Sequence, residues 1–232
     1  MKSIIPSLKN HYIKALYHLA SLPPFRAAVY SRQPFVRYPY MYLPSELVAL
    51  TNLLLSVRAA GAVIEVGCNQ GWTSCWLVEA LREAGIHRPY HCLDTFTGFL
   101  PEDVAVEVNN RGKAADAFAG YFLVNDQRWL DASLRRWGYA NVKTHKIDAS
   151  TFDYKALGPI AFALVDVDIY RPVKLSLERV LPCMVQGGVI VVDDCDPKHA
   201  LWDGACQAYI EICQKNSLPT EIVAGKLAVI RT

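Results

Sequence analysis

Apolar and polar blocks alternate along most of the chain and predict strands and helices in turn. Short apolar runs bounded by glycine or charged residues predict strands near residues 62–66, 89–94, 142–147, 160–166 and 188–193. Helical spacing predicts helices near residues 45–58, 72–84, 151–157, 172–181 and 199–215. Uniformly apolar runs are typical of parallel strands that are buried on both faces. We therefore expect an α/β fold with a doubly wound, Rossmann-like, mostly parallel sheet.

Three segments depart from this alternation. Residues 1–43 contain one helical stretch, ended by Pro23-Pro24, and then an aromatic and basic stretch, which predicts an N-terminal arm before a domain over residues 44–232. Residues 103–138 are polar at first and amphipathic afterwards, which indicates a lid-like insertion or, alternatively, a packing helix. In the tail VAGKLAVIR, two apolar runs flank a Gly-Lys turn and predict a C-terminal antiparallel hairpin.

Composition narrows the class of protein. The chain has 232 residues, of which 52% are apolar and 20% charged, so it can bury a substantial core. Its 24 basic and 22 acidic side chains give a net charge of +2, and no basic block points to nucleic acid as a partner. Seven cysteines without CxxC spacing indicate a reducing compartment. No apolar stretch has the length of a membrane span, so we expect a cytoplasmic protein, compatible with a homo-oligomer.

Four carboxylates follow two of the predicted strands. Asp166 and Asp168 come after the apolar run 160–165, and Asp193 and Asp194 come directly after the run 189–192. Because ligands bind at the carboxyl ends of the strands in such sheets, these side chains are expected to converge on one crevice. Unpaired carboxylates repel one another, and a hard cation with oxygen ligands, such as Mg²⁺, would remove that cost. The alternative is that they cap helices along a solvated edge.

The first predicted strand leads into a glycine loop, VIEVGCNQGWTS. Gly67 and Gly71 flank a turn that begins a helix, which directs backbone N–H groups at an anionic ligand. Asn69 and Trp72 occupy two positions where dinucleotide-binding proteins carry glycine, which argues against NAD or FAD. The second strand ends at Asp94, where an acidic residue accepts hydrogen bonds from ribose hydroxyls in this type of fold. The loop and Asp94 together favour S-adenosylmethionine (SAM).

Three motifs resemble the class I SAM-dependent methyltransferases of the macrocin and mycinamicin type: VIEVGCNQGWTS, LDTFTGF and VDVDIYRPVKLSLERVLPCMVQGGVIVVDD. This family O-methylates sugars on natural products, often with bound Mg²⁺. The resemblance implies that Glu65, Gly67 and Gly71 hold the methionine and ribose side of SAM. It also implies that Asp94 holds the ribose diol beside Thr95 and Phe96, and that Asp148 accepts from the adenine amino group. It implies Asp166, Asp193 and Asp194 as metal ligands, with Asp168 close to cofactor and metal.

Methyl transfer to an alcohol needs alignment and a base. A cation held by carboxylates can polarise the acceptor hydroxyl, and a base must lie within hydrogen-bond reach of its proton. Asp166, Asp168 and His199 are the candidates, although a histidine at such a position is more often a surface residue. We expect a small-molecule acceptor with a sugar hydroxyl. The alternatives are a catechol-like phenol, which the same site would serve, and a non-catalytic SAM-binding module that regulates a partner.

Overall fold

The computed structural model describes residues 42–196 and 198–232. The predicted arm therefore lies outside the described residues except for Tyr42 and Leu43, and so does the predicted helix near residues 9–22. Among the described helices, none is long and apolar enough to cross a membrane.

Helices and strands alternate as the sequence pattern predicts. The helices are α1 (Pro44–Ser56), α2 (Trp72–Glu83), α3 (Pro101–Arg111), α4 (Gln127–Trp137), α5 (Tyr170–Val180) and α6 (Asp203–Lys215). The strands are β1 (Ala62–Val66), β2 (Tyr90–Asp94), β3 (Val142–Lys146), β4 (Ile160–Val165), β5 (Met184–Val192), β6 (Glu221–Val223) and β7 (Leu227–Arg231). Short 3₁₀ helices cover Tyr154–Leu157 and Leu181–Cys183.

The strands form one seven-stranded sheet in the order β3-β2-β1-β4-β5-β7-β6. The first five strands are parallel, and the C-terminal hairpin adds β7 antiparallel to β5, with β6 at the edge. The order reverses between β1 and β4, which is where ligands bind in doubly wound sheets. The predicted α/β fold and its antiparallel hairpin are confirmed.

Two apolar layers cover the sheet, one on each face. One layer packs α1, α2 and α4 against the sheet, and the other packs α5 and α6 against the opposite face. Every residue of β1 and β4 is buried. This double burial explains why the central strands read as continuous apolar runs rather than as alternating ones.

The insertion contains most of one helix and the whole of a second. Its first part belongs to α3, which Gly112 ends with a φ of +71°, and its second part contains α4, which begins after Asp126. The Asp126 side chain accepts a hydrogen bond from Arg128 N at 2.9 Å, as an N-cap does. Two other boundaries also differ from expectation: α6 begins at Asp203, after turns over residues 198–202, and β5 begins at Met184.

The register of the parallel strands brings residues at or near their carboxyl ends into one row. Val66 lies opposite Leu93 and Val165, and Val165 lies opposite Val192. The residues that come next along the chain are therefore neighbours at this edge of the sheet. They are Gly67, Asp94, Asp166 and Asp193.

Candidate functional site

Glycine is required at the start of the loop after β1. Gly67 has a φ of +93°, and a Cβ at this position would lie 1.8 Å from the carbonyl oxygen of Asp166. Its N–H donates to Leu93 O at 2.8 Å. The loop thus crosses directly over the backbone that carries the first carboxylate, and any larger residue would push the two segments apart.

The second loop glycine makes room for the insertion. Gly71 precedes α2 with a φ of +80°, and a Cβ there would lie 2.2 Å from Cδ1 of Leu130 on α4. Beside it, Gln70 Nε2 donates to Val124 O at 2.6 Å. Part of the insertion therefore packs on the glycine loop and forms a wall of the same crevice.

Asp94 connects the glycine loop to the turn after β2. Its Oδ2 accepts from Asn69 N at 2.8 Å, and its Oδ1 accepts from Phe96 N at 2.7 Å. Asn69 and Phe96 both have positive φ, 46° and 52°, so these hydrogen bonds stabilise two uncommon backbone conformations. Burial raises the pKa of Asp94, although both backbone donors favour its charged form.

Two other predicted cofactor residues support the crevice from within. Glu65 is 1% exposed and accepts from Tyr90 OH at 2.8 Å. Burial raises its pKa to about 7, and the hydrogen bonds from Ser74 and Tyr90 oppose that shift. Thr95 Oγ1 donates to Gly98 O at 2.9 Å and so fixes the turn that carries Phe96.

Asp148 follows β3 at the same edge of the sheet. The backbone continues the parallel pairing, because Ile147 N donates to Asp94 O at 2.8 Å. Asp148 Oδ1 accepts from both N and Oγ of Ser150, at 2.8 and 2.7 Å. The structure thus brings Asp148 and Asp94 to neighbouring strand ends, with each carboxylate held in place.

Three of the four predicted carboxylates form a tight group. Ligand oxygens of Asp166, Asp168 and Asp194 lie within 4.8 Å of one another, close enough to share an ion. Asp168 and Asp194 have φ values of +60° and +57°, which L-residues adopt at a cost. The backbone is therefore bent so that these side chains converge.

Asp193, the third metal ligand implied by the resemblance, has a different partner. Its Oδ2 accepts from Lys226 Nζ at 2.8 Å, and the same ammonium lies 3.3 Å from Asp194 Oδ1. Burial alone would lower the pKa of Lys226, but Asp193 and Asp194 raise it above its usual range. Asp193 thus lies beside the group of three rather than within it.

Tyr42 reaches the group from the N-terminal side. Its hydroxyl donates to Asp166 Oδ2 at 3.0 Å, and its ring lies 4.6 Å from Lys226 Nζ. The ring is 3% exposed. Tyr42 is therefore part of the wall around the carboxylates.

We use the term acidic cluster for Asp166, Asp168, Asp193 and Asp194.

The acidic cluster carries more negative charge than its described surroundings balance. Burial, followed by the neighbouring carboxylates, raises the pKa of Asp166 and of Asp168 well above the usual range. Burial also raises the pKa of Asp193, to about 6, against the effect of Lys226. Asp193 Oδ1 is buried without a hydrogen-bond partner among the described residues. Oxygen ligands, crowded charge and an unpaired buried acceptor all fit a hard divalent cation.

His199 contacts Trp202 in the turn before α6. It is exposed, its Nδ1 accepts from Trp202 N at 3.3 Å, and its ring stacks on that indole with centroids 6.4 Å apart. It is not a member of the group of three carboxylates. These contacts describe a residue that orders the turn before α6.

Aromatic rings gather where this turn meets the insertion. Centroids of contacting pairs lie 5.3–6.5 Å apart. The segments involved follow β2, lie between α3 and α4, and precede α6, so the rings border the carboxyl edge of the sheet. We call these residues the aromatic cluster: Phe99, Phe118, Tyr121, Phe122 and Trp202.

Helix α3 is fixed against the start of α5. Glu107 is fully buried and accepts from Tyr170 N at 2.8 Å and from Arg111 Nε at 2.9 Å. One turn earlier, Asp103 pairs with Arg171. Because Tyr170 comes two residues after Asp168, the first part of the insertion supports the acidic cluster as a packing helix does.

Sequence reasoning missed Tyr42, Lys226 and Glu107. The lysine was visible as part of a hairpin turn, but only the antiparallel pairing of β5 with β7 brings that turn beside Asp193. Tyr42 was one of several tyrosines in an aromatic stretch. The buried Glu107 stood in a polar run, where a charged residue is usually exposed.

A family model described as "Methyltransferase domain" matches residues 64–195, which is more than half of the chain. The match begins in β1 and ends directly after Asp194, so it includes the glycine loop, Asp94 and the acidic cluster. No curated protein matches.

Several solved structures share the fold at low sequence identity. The O-methyltransferase NovP is 16% identical, with a TM-score of 0.67 over 81% of this chain and 79% of its own. CalS11, a calicheamicin methyltransferase, is 18% identical, with a TM-score of 0.65 over 96% of this chain and 92% of its own. A putative caffeoyl-CoA O-methyltransferase from Staphylococcus aureus is 12% identical, with a TM-score of 0.56 over 97% and 100%.

At these identities the structural likenesses establish the fold, which is that of class I methyltransferases. The family match covers the part of the chain that forms both candidate binding regions. The chain therefore belongs to the methyltransferase domain family and is a SAM-dependent methyltransferase.

Proposed function

We propose that this methyltransferase transfers the methyl group of SAM to a hydroxyl of a sugar or a glycosylated small molecule, with a divalent cation, Mg²⁺, in the acidic cluster. One observation carries the proposal. The glycine loop and the acidic cluster touch through their backbones, since a Cβ on Gly67 would lie 1.8 Å from Asp166 O. A cofactor held by the loop and an acceptor held at the cluster would therefore be neighbours, as methyl transfer requires.

The residues at the ends of β1, β2 and β3 are proposed to bind SAM. The positive end of α2 begins directly after the glycine loop, and a helix N-terminus suits an anionic group such as the carboxylate of the methionine part. Asp94 keeps acceptor capacity beyond its two backbone donors, because each carboxylate oxygen can accept more than one hydrogen bond. Asp148 is proposed to accept from the adenine amino group, in line with its place beside Asp94.

The acidic cluster is proposed to hold the cation through Asp166, Asp194 and one further carboxylate. Geometry favours Asp168 as the third ligand, since its oxygen belongs to the group within 4.8 Å. Asp193, implied by the resemblance, remains available through its unpaired Oδ1. When bound, the cation would polarise the acceptor hydroxyl and orient a neighbouring one.

The transfer needs a residue to accept the hydroxyl proton. The new O–C bond forms as the C–S bond breaks, and the proton passes to a carboxylate, for which Asp168 and Asp166 are the candidates. His199 is the weaker candidate because it is exposed and occupied by Trp202 N. S-adenosylhomocysteine is the leaving group.

The acceptor is proposed to lie against the aromatic cluster. Sugar rings and aromatic rings both stack on such surfaces, so the cluster suits a glycoside as well as a catechol. CalS11 is described as a TDP-rhamnose 3′-O-methyltransferase, and the shared fold over 96% of the present chain makes nucleotide sugars the first acceptors to try. Tyr42, whose hydroxyl donates to Asp166, is proposed to form part of the other wall.

The decisive experiment is a methyl-transfer assay with isotopically labelled SAM. The full-length protein is incubated with Mg²⁺ and with panels of nucleotide sugars, glycosides and catechols, and labelled products are identified by mass spectrometry. We expect turnover on at least one sugar hydroxyl, and loss of it in Asp166→Asn. Glu83→Gln, an exposed carboxylate at the end of α2, is the matched control and should keep full activity.

Two results would redirect the proposal. Turnover on catechols alone would replace the sugar by a phenol at the same site. SAM binding without transfer to any member of the panels, together with no change on adding Mg²⁺, would favour a SAM-binding module.

A further inference from the structure

We propose that Lys226 is a built-in counter-cation of the acidic cluster, which holds Asp193 away from the ligand group and sets the affinity for the divalent cation. This inference rests on the proposed function, because it concerns the same cation site. It assigns a positioning role to a residue of the C-terminal hairpin, outside the part of the chain that the family model covers.

The ammonium group is held firmly in place. Lys226 Nζ lies 2.8 Å from Asp193 Oδ2 and 3.3 Å from Asp194 Oδ1, and the side chain is only 18% exposed. The face of Tyr42 lies 4.6 Å away, a distance at which an aromatic ring attracts a cation.

The backbone of the hairpin turn brings the lysine to this position. Ala224 and Gly225 have φ values of +50° and +83°, which make the turn tight. The carbonyl oxygen of Lys226 accepts from Cys195 N at 2.8 Å. Since Cys195 directly follows Asp194, the lysine is tied to the acidic cluster through its backbone as well as through its charge.

The positive charge of Lys226 affects how tightly the acidic cluster can bind a cation. The acidic cluster has a formal charge of −4 when all four carboxylates are ionised, and Lys226 reduces it to −3. A divalent cation would reduce this negative charge further. It would have to bind beside the Lys226 ammonium, because Asp194, one of the proposed ligands of the cation, also contacts that ammonium. Two positive charges that lie this close together in a partly buried site repel each other strongly. The lysine therefore stabilises the cation-free protein and weakens cation binding.

The two oxygens of the Asp193 carboxylate have different surroundings. Its Oδ2 is taken by the lysine, whereas its buried Oδ1 lacks a hydrogen-bond partner among the described residues. Without the ammonium, this carboxylate would lose its ion-pair partner at 2.8 Å. It would then add a fourth oxygen ligand to the cation.

The test compares Lys226→Met with Lys226→Arg in the full-length protein. Binding of Mn²⁺, a spectroscopic substitute for Mg²⁺, is measured by electron paramagnetic resonance of the free ion, and thermal unfolding is followed with chelator and with Mg²⁺. We expect Lys226→Met to bind Mn²⁺ at least about tenfold more tightly than wild type. It should also unfold at a lower temperature in chelator, and Mg²⁺ should raise that temperature more than in wild type.

Lys226→Arg keeps the charge and should bind Mn²⁺ within about threefold of wild type. If Lys226 only supported the shape of the acidic cluster, Lys226→Met would distort the cluster and bind Mn²⁺ more weakly. Weaker or unchanged binding of Mn²⁺ therefore overturns the inference. If Lys226→Met does not fold in chelator, Lys226→Gln, which keeps a hydrogen-bond donor without the charge, is measured by the same criterion.

Failure of the proposed function would look different. Absence of Mn²⁺ binding in wild type and in every variant would remove the cation site itself and, with it, the role of Lys226. Equal binding in wild type and Lys226→Met would leave the cation site in place and overturn only the counter-cation.

Discussion

Asp94 and the acidic cluster occupy neighbouring strand ends, but they are stabilised in opposite ways. Asp94 receives two backbone N–H groups, and these fix both its position and the loops around it. The four carboxylates of the acidic cluster face one another, with Tyr42 and Lys226 as the donors nearest to Asp166 and Asp193. Both oxygens of Asp94 are thus held by backbone donors, whereas the acidic cluster carries uncompensated charge.

This difference shows how one sheet edge can serve two partners. Backbone donors give a rigid site that favours a neutral or anionic ligand part, because their dipoles are fixed by the fold. Crowded carboxylates, two of them on residues with positive φ, raise the free energy of the folded protein, so the proposed cation would couple ligand binding to local stability. We therefore expect the two sides to respond independently to substitution, except at Gly67, where they touch.

The largest effect is expected from removing a carboxylate of the acidic cluster. Asp166→Asn should lower kcat by a factor of about 10³ or more, because the proposed cation would lose one of its charged ligands. SAM affinity should stay within about threefold of wild type. Single-turnover kinetics and calorimetric titration with SAM measure the two quantities separately.

Chelation provides the control for that prediction. Exhaustive treatment with EDTA should silence the wild-type enzyme, and added Mg²⁺ should restore it. Full activity after chelation would remove the cation from the mechanism and leave the carboxylates as bases or as acceptors for the sugar. A large loss of SAM affinity in Asp166→Asn would mean that the two sides are not independent.

Gly67→Ala tests the place where the two sides touch. Its Cβ would lie 1.8 Å from a backbone oxygen, which cannot move aside as a flexible side chain can, so we expect a loss of about 3 kcal/mol or more in the free energy of unfolding. Gly85→Ala is the matched control, since Gly85 has a φ of +69° and open space around it, and should cost about 1 kcal/mol. Urea denaturation measures both, and similar losses would mean that backbone conformation alone explains the cost.

Asp94→Ala should affect the cofactor side alone. We expect the free energy of SAM binding to weaken by about 1–3 kcal/mol, roughly 5–150-fold in affinity, because Asn69 N, Phe96 N and the ribose hydroxyls proposed to bind here would all lose their acceptor. Asp94→Asn keeps one carbonyl oxygen and should lose less. Binding of Mn²⁺ should be unchanged in both variants, and a parallel loss of Mn²⁺ binding would contradict the independence of the two sides.

The sequence predicts the sheet better than it predicts the site. The apolar runs of β1 and β4 are buried on both faces, and this burial leaves a pattern that can be read without a structure. Asp166 and Asp194 could be placed together because both follow such runs. Their partners could not: Lys226 is brought in by the hairpin pairing, and Tyr42 by the packing of α1.

Backbone conformation was equally hidden. Asp168 has a positive φ, which cannot be predicted from an aspartate in the sequence. With this backbone conformation, its carboxylate lies in one group with those of Asp166 and Asp194. Glu107 is buried because it accepts from the first N–H of α5, a contact between segments 63 residues apart. Such tertiary hydrogen bonds override the local tendency of charged residues to be exposed.

The smallest expected effect concerns a histidine pair on the cofactor half of the sheet, His91 on β2 and His145 on β3. His91 Nδ1 lies 2.9 Å from His145 Nε2, so at least one ring must be neutral. Burial, and then His145, lowers the pKa of His91 to about 4, and burial lowers that of His145. Between pH 6.5 and 4 the two histidines bind protons more readily in the unfolded chain than in the folded protein. The free energy of unfolding therefore falls as the pH falls.

Because His145 is only partly buried, we expect wild type to lose only about 1 kcal/mol more than the double variant His91→Gln/His145→Gln between pH 7 and pH 5. Urea denaturation at pH 7, 6 and 5 measures this difference, and His87→Gln, an exposed histidine, is the control that should follow wild type. An identical pH dependence in wild type and the double variant would exclude the pair as its source. The acidic cluster cannot replace the pair as the source of such a loss, because its raised carboxyl pKa values make the folded protein bind protons before the unfolded chain does, which stabilises the folded protein as the pH falls.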